Sequence, residues 1–222
     1  MEIQKNLIGT VFKTGYNVFN EKGCVIVGLS QGNSYFKVDL INNLLNFCKN
    51  NFSFVNIMNA DKPSIYTYLA LGHSLEKSVK KANKNGKLLT NHCNKFISKS
   101  LSSKFNLFDW GVEIDSNKIY QDELKRLKVL FESNLKFKDD VCNTTKSVLE
   151  NKILDVSKLD LGISIGVNYL LCELAFLSVS CDLFGIDKIA YIYHNRWEVF
   201  ENFVNGVYDG KINKHIGFII VR

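Results

Sequence analysis

The sequence predicts an α/β protein with a mainly parallel sheet flanked by helices. Residues 24–29 (CVIVGL) and 54–58 (FVNIM) are short apolar runs of the length of buried strands. Between them, residues 38–50 (VDLINNLLNFCKN) place apolar side chains at helical spacing, which completes a strand–helix–strand unit. Strands that alternate with helices are typical of parallel sheets, whose ligands bind beyond the carboxyl ends of the strands.

The later elements continue this alternation. Apolar periodicity predicts helices over about 64–83, 87–102, 120–136, 138–150 and 164–181, and strands near 188–193 and 215–221. The chain has one proline and no Gly/Ser-rich tract that would mark a linker. Residues 1–222 are therefore expected to form a single domain.

Composition excludes several classes of protein. Hydrophobic residues make up 46% of the chain and charged residues 23%, as in an ordinary globular protein. No uninterrupted apolar run of roughly 18 residues and no apolar secretory leader is visible, so we expect a cytoplasmic protein without a membrane partner. The six cysteines lack CxxC spacing, and there is no P-loop or metal-ligand cluster. We expect no metal, no cofactor and, without an exposed apolar heptad, a monomer.

Positive charge is concentrated in one segment. The net charge is +6, and between His73 and Lys104 eight lysines stand against one acid, Glu76. Four of these lysines recur at helical spacing and so share one stripe on a helix: Lys77, Lys80, Lys81 and Lys84. Lys87 extends this stripe. The stripe is either a solvated charged face or a surface that binds phosphates.

Ser30 lies where the first predicted strand ends. Gly28-Leu29-Ser30-Gln31-Gly32 fits G-x-S-x-G, the turn that exposes the nucleophile of α/β-hydrolases, although glycine and serine at a strand end often form only a turn. The 29 residues before Ser30 are too few for the sheet and the oxyanion loop of a conventional hydrolase. Tyr193 directly follows the strand KIAYIY, so Ser30 and Tyr193 are expected at one rim of the sheet.

A carboxylate interrupts the most apolar helix. In residues 166–181 (GVNYLLCELAFLSVSC), Tyr169 and Glu173 are four residues apart and share a face. A buried carboxylate has to be paired, protonated or next to a cavity, so a structural salt bridge and a site are both open. His194, after Tyr193, is either a solvated loop histidine or part of the same site.

Taken together, these residues resemble the cyclodipeptide synthases. The likeness rests on Gly28-x-Ser30-x-x-Asn33-Ser-Tyr-Phe36, on Tyr169-x-x-x-Glu173 and on Tyr193-His194, and it extends from about residue 20 to the closing strand. Asn33, Tyr193 and His194 resemble one branch of the family. The resemblance implies a Rossmann-like domain similar to the catalytic domains of tyrosyl- and tryptophanyl-tRNA synthetases. It also implies that this domain joins amino acids from two aminoacyl-tRNAs into a 2,5-diketopiperazine without using ATP.

The resemblance also implies roles for the site residues. Ser30 would carry the aminoacyl and dipeptidyl groups, Glu173 and Tyr169 would hold the amino group, and Tyr193 would position substrate and relay protons during cyclisation. The group that deprotonates Ser30 stays open, and the terminal ribose hydroxyl of the tRNA is one possibility. Asn33 and His194 are assigned to substrate binding.

The predicted first aminoacyl pocket is apolar. Its lining is expected to be Ile26, Gly28, Met58, Ala60 and Phe176, which favours a hydrophobic amino acid such as Leu or Phe. The lysines at positions 77, 80, 81, 84 and 87 would bind tRNA, with no role for DNA. Two alternatives remain: a serine esterase or thioesterase that uses the GLSQG turn, and a non-catalytic tRNA-binding domain.

Overall fold

The strands form one six-stranded sheet. A computed structural model describes residues 10–15, 23–33, 35–211 and 215–221. The strands are β1 (Thr10–Gly15), β2 (Cys24–Leu29), β3 (Phe54–Asn59), β4 (Phe105–Phe108), β5 (Ile189–Tyr193) and β6 (Ile216–Val221). Their order is β1-β6-β5-β2-β3-β4, in which β1 runs antiparallel to β6 and the other five strands are parallel. The predicted mainly parallel sheet is confirmed.

Helices flank this sheet. They are α1 (Val38–Asn51), α2 (Ser64–Ala70), α3 (Leu75–Ser100), α4 (Lys118–Ser133), α5 (Leu135–Leu149), α6 (Leu159–Phe184) and α7 (Glu198–Val204). A π-helical turn at Trp110–Ile114 follows β4, and a 3-10 turn at Val156–Lys158 precedes α6. Strands β1 and β4 and helix α7 were not predicted.

The prediction of helices over 64–83 and 87–102 is wrong in its boundaries. The first helix ends at Ala70, because Gly72 has φ of 81° and the Ser74 hydroxyl caps a new helix by accepting from the Lys77 amide. The second helix then runs unbroken through Gly86. At Gly86 a Cβ would crowd Asp61 and Gln31, so this glycine allows the helix to approach the sheet closely and does not end it.

Helix α6 is the central helix of the fold. It packs against α2, α4 and α5, and most of its residues between Gly166 and Ser180 are buried. By length and composition alone it could cross a membrane, which was not recognised from the sequence. However, 67% of its most apolar 18-residue segment is buried inside the protein. This is the environment of a core helix.

One face of the sheet, covered by α6, positions the site. Ile26 of β2 pairs with Asn56 of β3 and Tyr191 of β5, and side chains alternate along each strand, so Ile26, Gly28 and Tyr191 lie on the same face. Phe176 of α6 packs against that face. Both β2 and β5 end at the same edge, where Ser30 and Tyr193 are found.

Candidate active site

Ser30 is held in a tight turn immediately after β2. Gly32 has φ of 69°, and the Asn33 amide donates to the Ser30 carbonyl at 3.4 Å. A positive φ is accessible to glycine without steric cost, so Gly32 is a turn residue, as its position in the GLSQG motif indicates. The Ser30 side chain is half-buried.

Tyr193 contacts the Ser30 hydroxyl. The two oxygens are 2.8 Å apart, and either can be the donor. Only 6% of Tyr193 is exposed. Burial and the nearby Glu173 raise the pKa of the phenol, while Ser30 and Asn33 oppose this rise by hydrogen bonding. Tyr193 therefore keeps its proton near neutral pH and can act on Ser30 only as a neutral hydrogen-bonding group.

The half-buried Tyr169 and the buried Glu173 form a second pair in the same cluster. The Tyr169 hydroxyl donates to Glu173 Oε1 at 2.9 Å, and Glu173 is 1% exposed. Burial raises the pKa of Glu173 to about 8, against the lowering effect of the Tyr169 hydrogen bond. Glu173 Oε2 has no hydrogen-bond partner among the described residues. An uncompensated acceptor at this depth is a place for a cationic or hydrogen-donating substrate group.

Asn33 connects the turn to the loop after β5. Its Oδ1 accepts from the Tyr35 amide at 3.0 Å, and its Nδ2 lies 2.9 Å from His194 Nε2. Because Oδ1 is already an acceptor, Nδ2 donates to Nε2, which places the proton of the neutral imidazole on Nδ1. His194 is buried and stacks on Tyr35 with ring centroids 4.0 Å apart. His194 is thus part of the site architecture and not a solvated loop residue.

A cavity of about 140 Å³ opens beside the Ser30–Tyr193 pair. It lies between the sheet edge, α2, α5, α6 and the loop after β5. Its lining consists of Ser30, Gln31, Asn33, Ser64, Thr67, Thr144, Thr145, Val148, Leu149, Lys152, Gly166, Tyr169, Leu170, Tyr193, Asn195 and Trp197. The catalytic residues expected from the sequence therefore meet at one opening, apart from Glu173, which reaches it through Tyr169.

The residues predicted to line the first aminoacyl pocket lie deeper. Ile26, Gly28, Met58, Ala60 and Phe176 are all buried in the core and do not belong to the wall of this cavity. Their contact with a substrate remains a prediction.

The lysine stripe occupies an exposed face of α3. Lys77, Lys80, Lys84 and Lys87 are exposed, whereas Lys81 is half-buried with its ammonium 5.7 Å from the centre of the Tyr68 ring. The helix predicted from spacing thus places these charges together, and their contact with tRNA remains a prediction.

One side of the cavity was not predicted from the sequence. Thr144, Thr145, Val148 and Lys152 come from α5 and the turn after it, and no motif distinguishes them from an ordinary helix face. Asn195 and Trp197 could have been inferred from their position after Tyr193-His194. Among the residues that the structure describes, no group of three His, Cys, Asp or Glu side chains could hold a metal ion.

A serine hydroxyl at the carboxyl edge of a parallel sheet, with a buried carboxylate on the helix above it, is an arrangement suited to covalent acyl transfer. The chain belongs to the cyclodipeptide synthase family, whose model matches residues 10–222. One relative is cyclo(L-leucyl-L-leucyl) synthase of Staphylococcus haemolyticus, which is 24% identical over 208 residues and covers 92% of this chain and 89% of its own. The protein is accordingly a tRNA-dependent aminoacyltransferase, as predicted.

Solved structures show the same fold. A cyclodipeptide synthase from S. haemolyticus superposes with a TM-score of 0.82 at 22% identity, over 97% of both chains. The second is a Mycobacterium tuberculosis protein whose structure is described as showing that cyclodipeptide synthetases are related to type I tRNA synthetases. It superposes with a TM-score of 0.79 at 16% identity, over 100% of this chain and 99% of its own. A synthase from Candidatus Glomeribacter gigasporarum, bound to Phe-tRNAPhe, superposes with a TM-score of 0.59 at 15% identity, over 89% of this chain and 86% of its own. The predicted fold, a mainly parallel sheet flanked by helices, is thus shared with solved cyclodipeptide synthases.

Proposed function

We propose that the protein makes a 2,5-diketopiperazine from two aminoacyl-tRNAs through aminoacyl and dipeptidyl esters of Ser30. The observation that carries this proposal is the partly buried cluster in which Ser30 Oγ lies 2.8 Å from Tyr193 Oη, next to the hydrogen-bonded Tyr169–Glu173 pair. The related synthase bound to Phe-tRNA supports an aminoacyl-tRNA substrate. Because such a substrate is already an activated ester, the proposed reaction uses neither ATP nor a metal or cofactor.

The first step is transfer of an aminoacyl group to Ser30. Ser30 Oγ attacks the ester carbonyl carbon, the bond to the terminal ribose oxygen breaks, and that oxygen leaves as a hydroxyl after taking up a proton. Tyr193, whose raised pKa keeps it neutral, accepts the Ser30 proton only while it donates its own. Tyr193 thus acts as a relay toward the ribose oxygen and not as a base.

Glu173 binds the α-amino group of the acyl-enzyme. Its Oε2 has no partner among the described residues and can accept from an ammonium, while Tyr169 orients Oε1. With its pKa raised to about 8, Glu173 is mostly protonated near neutral pH, and an arriving ammonium favours the carboxylate. The same carboxylate can then remove a proton from the ammonium, which frees the amine as a nucleophile.

Two further bonds complete the product. The freed amine attacks the ester of a second aminoacyl-tRNA, whose ribose oxygen leaves as a hydroxyl, and a dipeptidyl ester of Ser30 results. The new terminal amine then attacks that ester, which closes the ring and returns the Ser30 hydroxyl. Ring closure is intramolecular, so positioning supplies much of its rate.

Hydrophobic amino acids are the proposed substrates. Ile26, Gly28, Met58, Ala60 and Phe176 surround the serine strand with apolar or small groups, and the S. haemolyticus relative is named a leucyl-leucyl synthase. A hydrophobic side chain on the first aminoacyl group would pack among them.

The exposed lysines of α3 are proposed to bind the tRNA backbone. Lysine ammonium groups bind phosphates as point charges, and the stripe carries them without an interspersed acid. We propose that the protein acts as a monomer in the cytoplasm, where aminoacyl-tRNAs are made, without DNA or a membrane.

Mass spectrometry of culture medium tests this function. A bacterium that expresses the wild-type chain should release a diketopiperazine, and Ser30→Ala and Glu173→Gln should release none at equal levels of soluble protein. Hydrolysis of aminoacyl-tRNA to free amino acid by folded wild-type protein, without a cyclic product, would refute the synthase and support an esterase.

A further inference from the structure

Asn59 is a buried polar residue at the carboxyl end of β3, which no sequence motif indicated. It is 4% exposed, and across the sheet it pairs with Leu29, the residue before Ser30. Its Nδ2 donates to the Gly86 carbonyl at 2.8 Å and to the Thr90 hydroxyl at 3.2 Å. Both donor hydrogens of the amide are therefore used by α3, and its Oδ1 is left as an acceptor.

The side chain of Gln31 connects this asparagine to the Ser30 turn. Gln31 is the residue after Ser30, and its Nε2 donates to Asn59 Oδ1 at 3.4 Å. Helix α3 also contacts Gln31 directly, because a Cβ placed on Gly86 would lie 2.7 Å from Gln31 Nε2 and 2.7 Å from Asp61 Cβ. The helix thus packs on the Gln31 amide so closely that a methyl group does not fit between them.

The Ser30 turn is supported from two sides. Its own backbone hydrogen bond, from the Asn33 amide to the Ser30 carbonyl, is long at 3.4 Å. On one side, Asn33 is bonded to His194 in the loop after β5. The link from Gln31 to β3 and α3 is the support on the other side. A nucleophile displaced by about 1 Å can lose about 100-fold in rate, so both supports bear on catalysis.

We propose that Asn59 is a positioning residue for acyl transfer, which holds the Ser30 turn against α3 through Gln31. The inference rests on the proposed function, since it concerns the serine that receives the aminoacyl group. Asn59 is not part of the cavity wall beside Ser30, whereas Gln31 is, so Asn59 acts on the reaction through Gln31. The helix that supports the turn is also the one that carries the lysine stripe.

Single-turnover acylation tests the inference, because it separates the rate of each molecule from the number of folded molecules. The donor is the aminoacyl-tRNA that acylates the wild type best in a screen of the full set, and the Ser30 adduct is followed by intact mass. Its amplitude counts competent molecules, and its rate constant reports their reactivity. For Asn59→Ala at saturating donor, the rate constant should fall at least about tenfold, with the half-saturating concentration within about threefold of wild type.

Asn56→Ala is the matched control. Asn56 is also a buried asparagine of β3 with hydrogen bonds to two side chains, those of Cys24 and Asn106, but it lies three residues before Asn59 and away from the Ser30 turn. Both substitutions remove a buried hydrogen-bonding group and should lower the stability of the protein. Only Asn59→Ala should change the rate constant, which Asn56→Ala should leave within about threefold.

Two further comparisons test whether the effect passes through Gln31. Gln31→Ala should slow acylation, and addition of Asn59→Ala to it should slow the reaction by no more than about twofold more. Gly86→Ala, which forces α3 away from Gln31, should also lower the rate constant at least about tenfold. Gly162→Ala is its control, because a Cβ at this glycine of α6 would overlap Ile153 in the same way without contact with the turn.

The possible results are distinct, and thermal unfolding confirms that each variant is folded. An unchanged rate constant in folded Asn59→Ala, an equal fall in Asn56→Ala, or independent losses for Asn59 and Gln31 would overturn the inference and leave the proposed function intact. If no donor in the full set acylates wild-type Ser30, the proposed function fails and this inference fails with it.

Discussion

The hydroxyl groups of Ser30 and Tyr193 are 2.8 Å apart although 163 positions separate them in the chain. They meet because β2 and β5 are neighbouring parallel strands whose carboxyl ends lie at one edge of the sheet. Both strands are buried, so the pair is positioned by the core before any substrate arrives. In the proposed mechanism, this pair is therefore ready for the first acyl transfer without a rearrangement of the sheet.

Removal of the Tyr193 hydroxyl should slow catalysis without unfolding the protein. Tyr193→Phe keeps the ring but removes the proposed proton relay, so we expect a loss of about 100-fold or more in the rate of diketopiperazine formation. The rate is measured with purified protein and aminoacyl-tRNAs. Tyr208→Phe is the matched control, because it also removes one tyrosine hydroxyl, which donates to Asp140 and does not line the cavity beside Ser30. It should leave the rate within about threefold. Equal rates for Tyr193→Phe and wild type would contradict the relay.

Glu173 should make the protein less stable as the pH rises. Its pKa is raised from 4.5 to about 8 in the folded chain, so between these values the folded state binds more protons than the unfolded state. The free energy of unfolding therefore has its full value below about pH 4.5 and falls as the pH rises toward about 8, by an amount on the order of several kcal/mol.

Urea unfolding of wild type and Glu173→Gln across this pH range measures the effect. The glutamine cannot ionise, so the difference in stability between the two proteins should shift steadily in favour of Glu173→Gln with rising pH. A difference that is independent of pH would mean that the buried carboxyl has an ordinary pKa.

Removing lysines of α3 should weaken tRNA binding and its salt dependence. For Lys77→Ala, Lys80→Ala and Lys84→Ala combined, we expect a higher KM for aminoacyl-tRNA with a smaller change in kcat. For each phosphate contact that is lost, the slope of log affinity against log salt concentration should become shallower by about 0.9. Lys118→Ala with Lys125→Ala, exposed lysines on α4, is the matched control and should change neither. Identical salt slopes for all proteins would exclude the stripe as a tRNA surface.

Gly28 and Tyr191 should be coupled energetically. Gly28→Ala places a methyl group against the Tyr191 phenol and should lower the free energy of unfolding by about 1–3 kcal/mol, the usual range for overpacking. In a Tyr191→Leu background the same change should be nearly neutral, because the obstructing ring is gone. A double-mutant cycle by urea unfolding measures this coupling. Additive effects would show that the tyrosine does not occupy the space over Gly28.

The sheet and the central cluster were predictable because they depend on strong local patterns. Apolar runs mark β2, β3 and β5, and their parallel arrangement brings Ser30 and Tyr193 to one edge. By contrast, β4 has only four residues, and its formation depends on pairing with β3. The break between α2 and α3 at Gly72 depends on a positive φ, which the neighbouring residues do not predict.

Side-chain placement in the site was less predictable than the backbone. Phe176 was assigned to the pocket, and in the fold it packs against Phe108, Trp110 and Phe184. Thr145 has the sequence context of a surface helix, yet α5 turns it toward the cavity. Tyr191 was predicted only as part of a buried strand, because only the register with β2 shows that its ring reaches over Gly28.

The most direct test of the account is the covalent state of Ser30. Purified protein is incubated briefly with one aminoacyl-tRNA, quenched in acid, and analysed by intact mass and then by peptide mass spectrometry. We expect an adduct of one aminoacyl residue on the peptide that contains Ser30, and none in Ser30→Ala. Product formation without an adduct, or an adduct on another residue, would contradict the covalent mechanism.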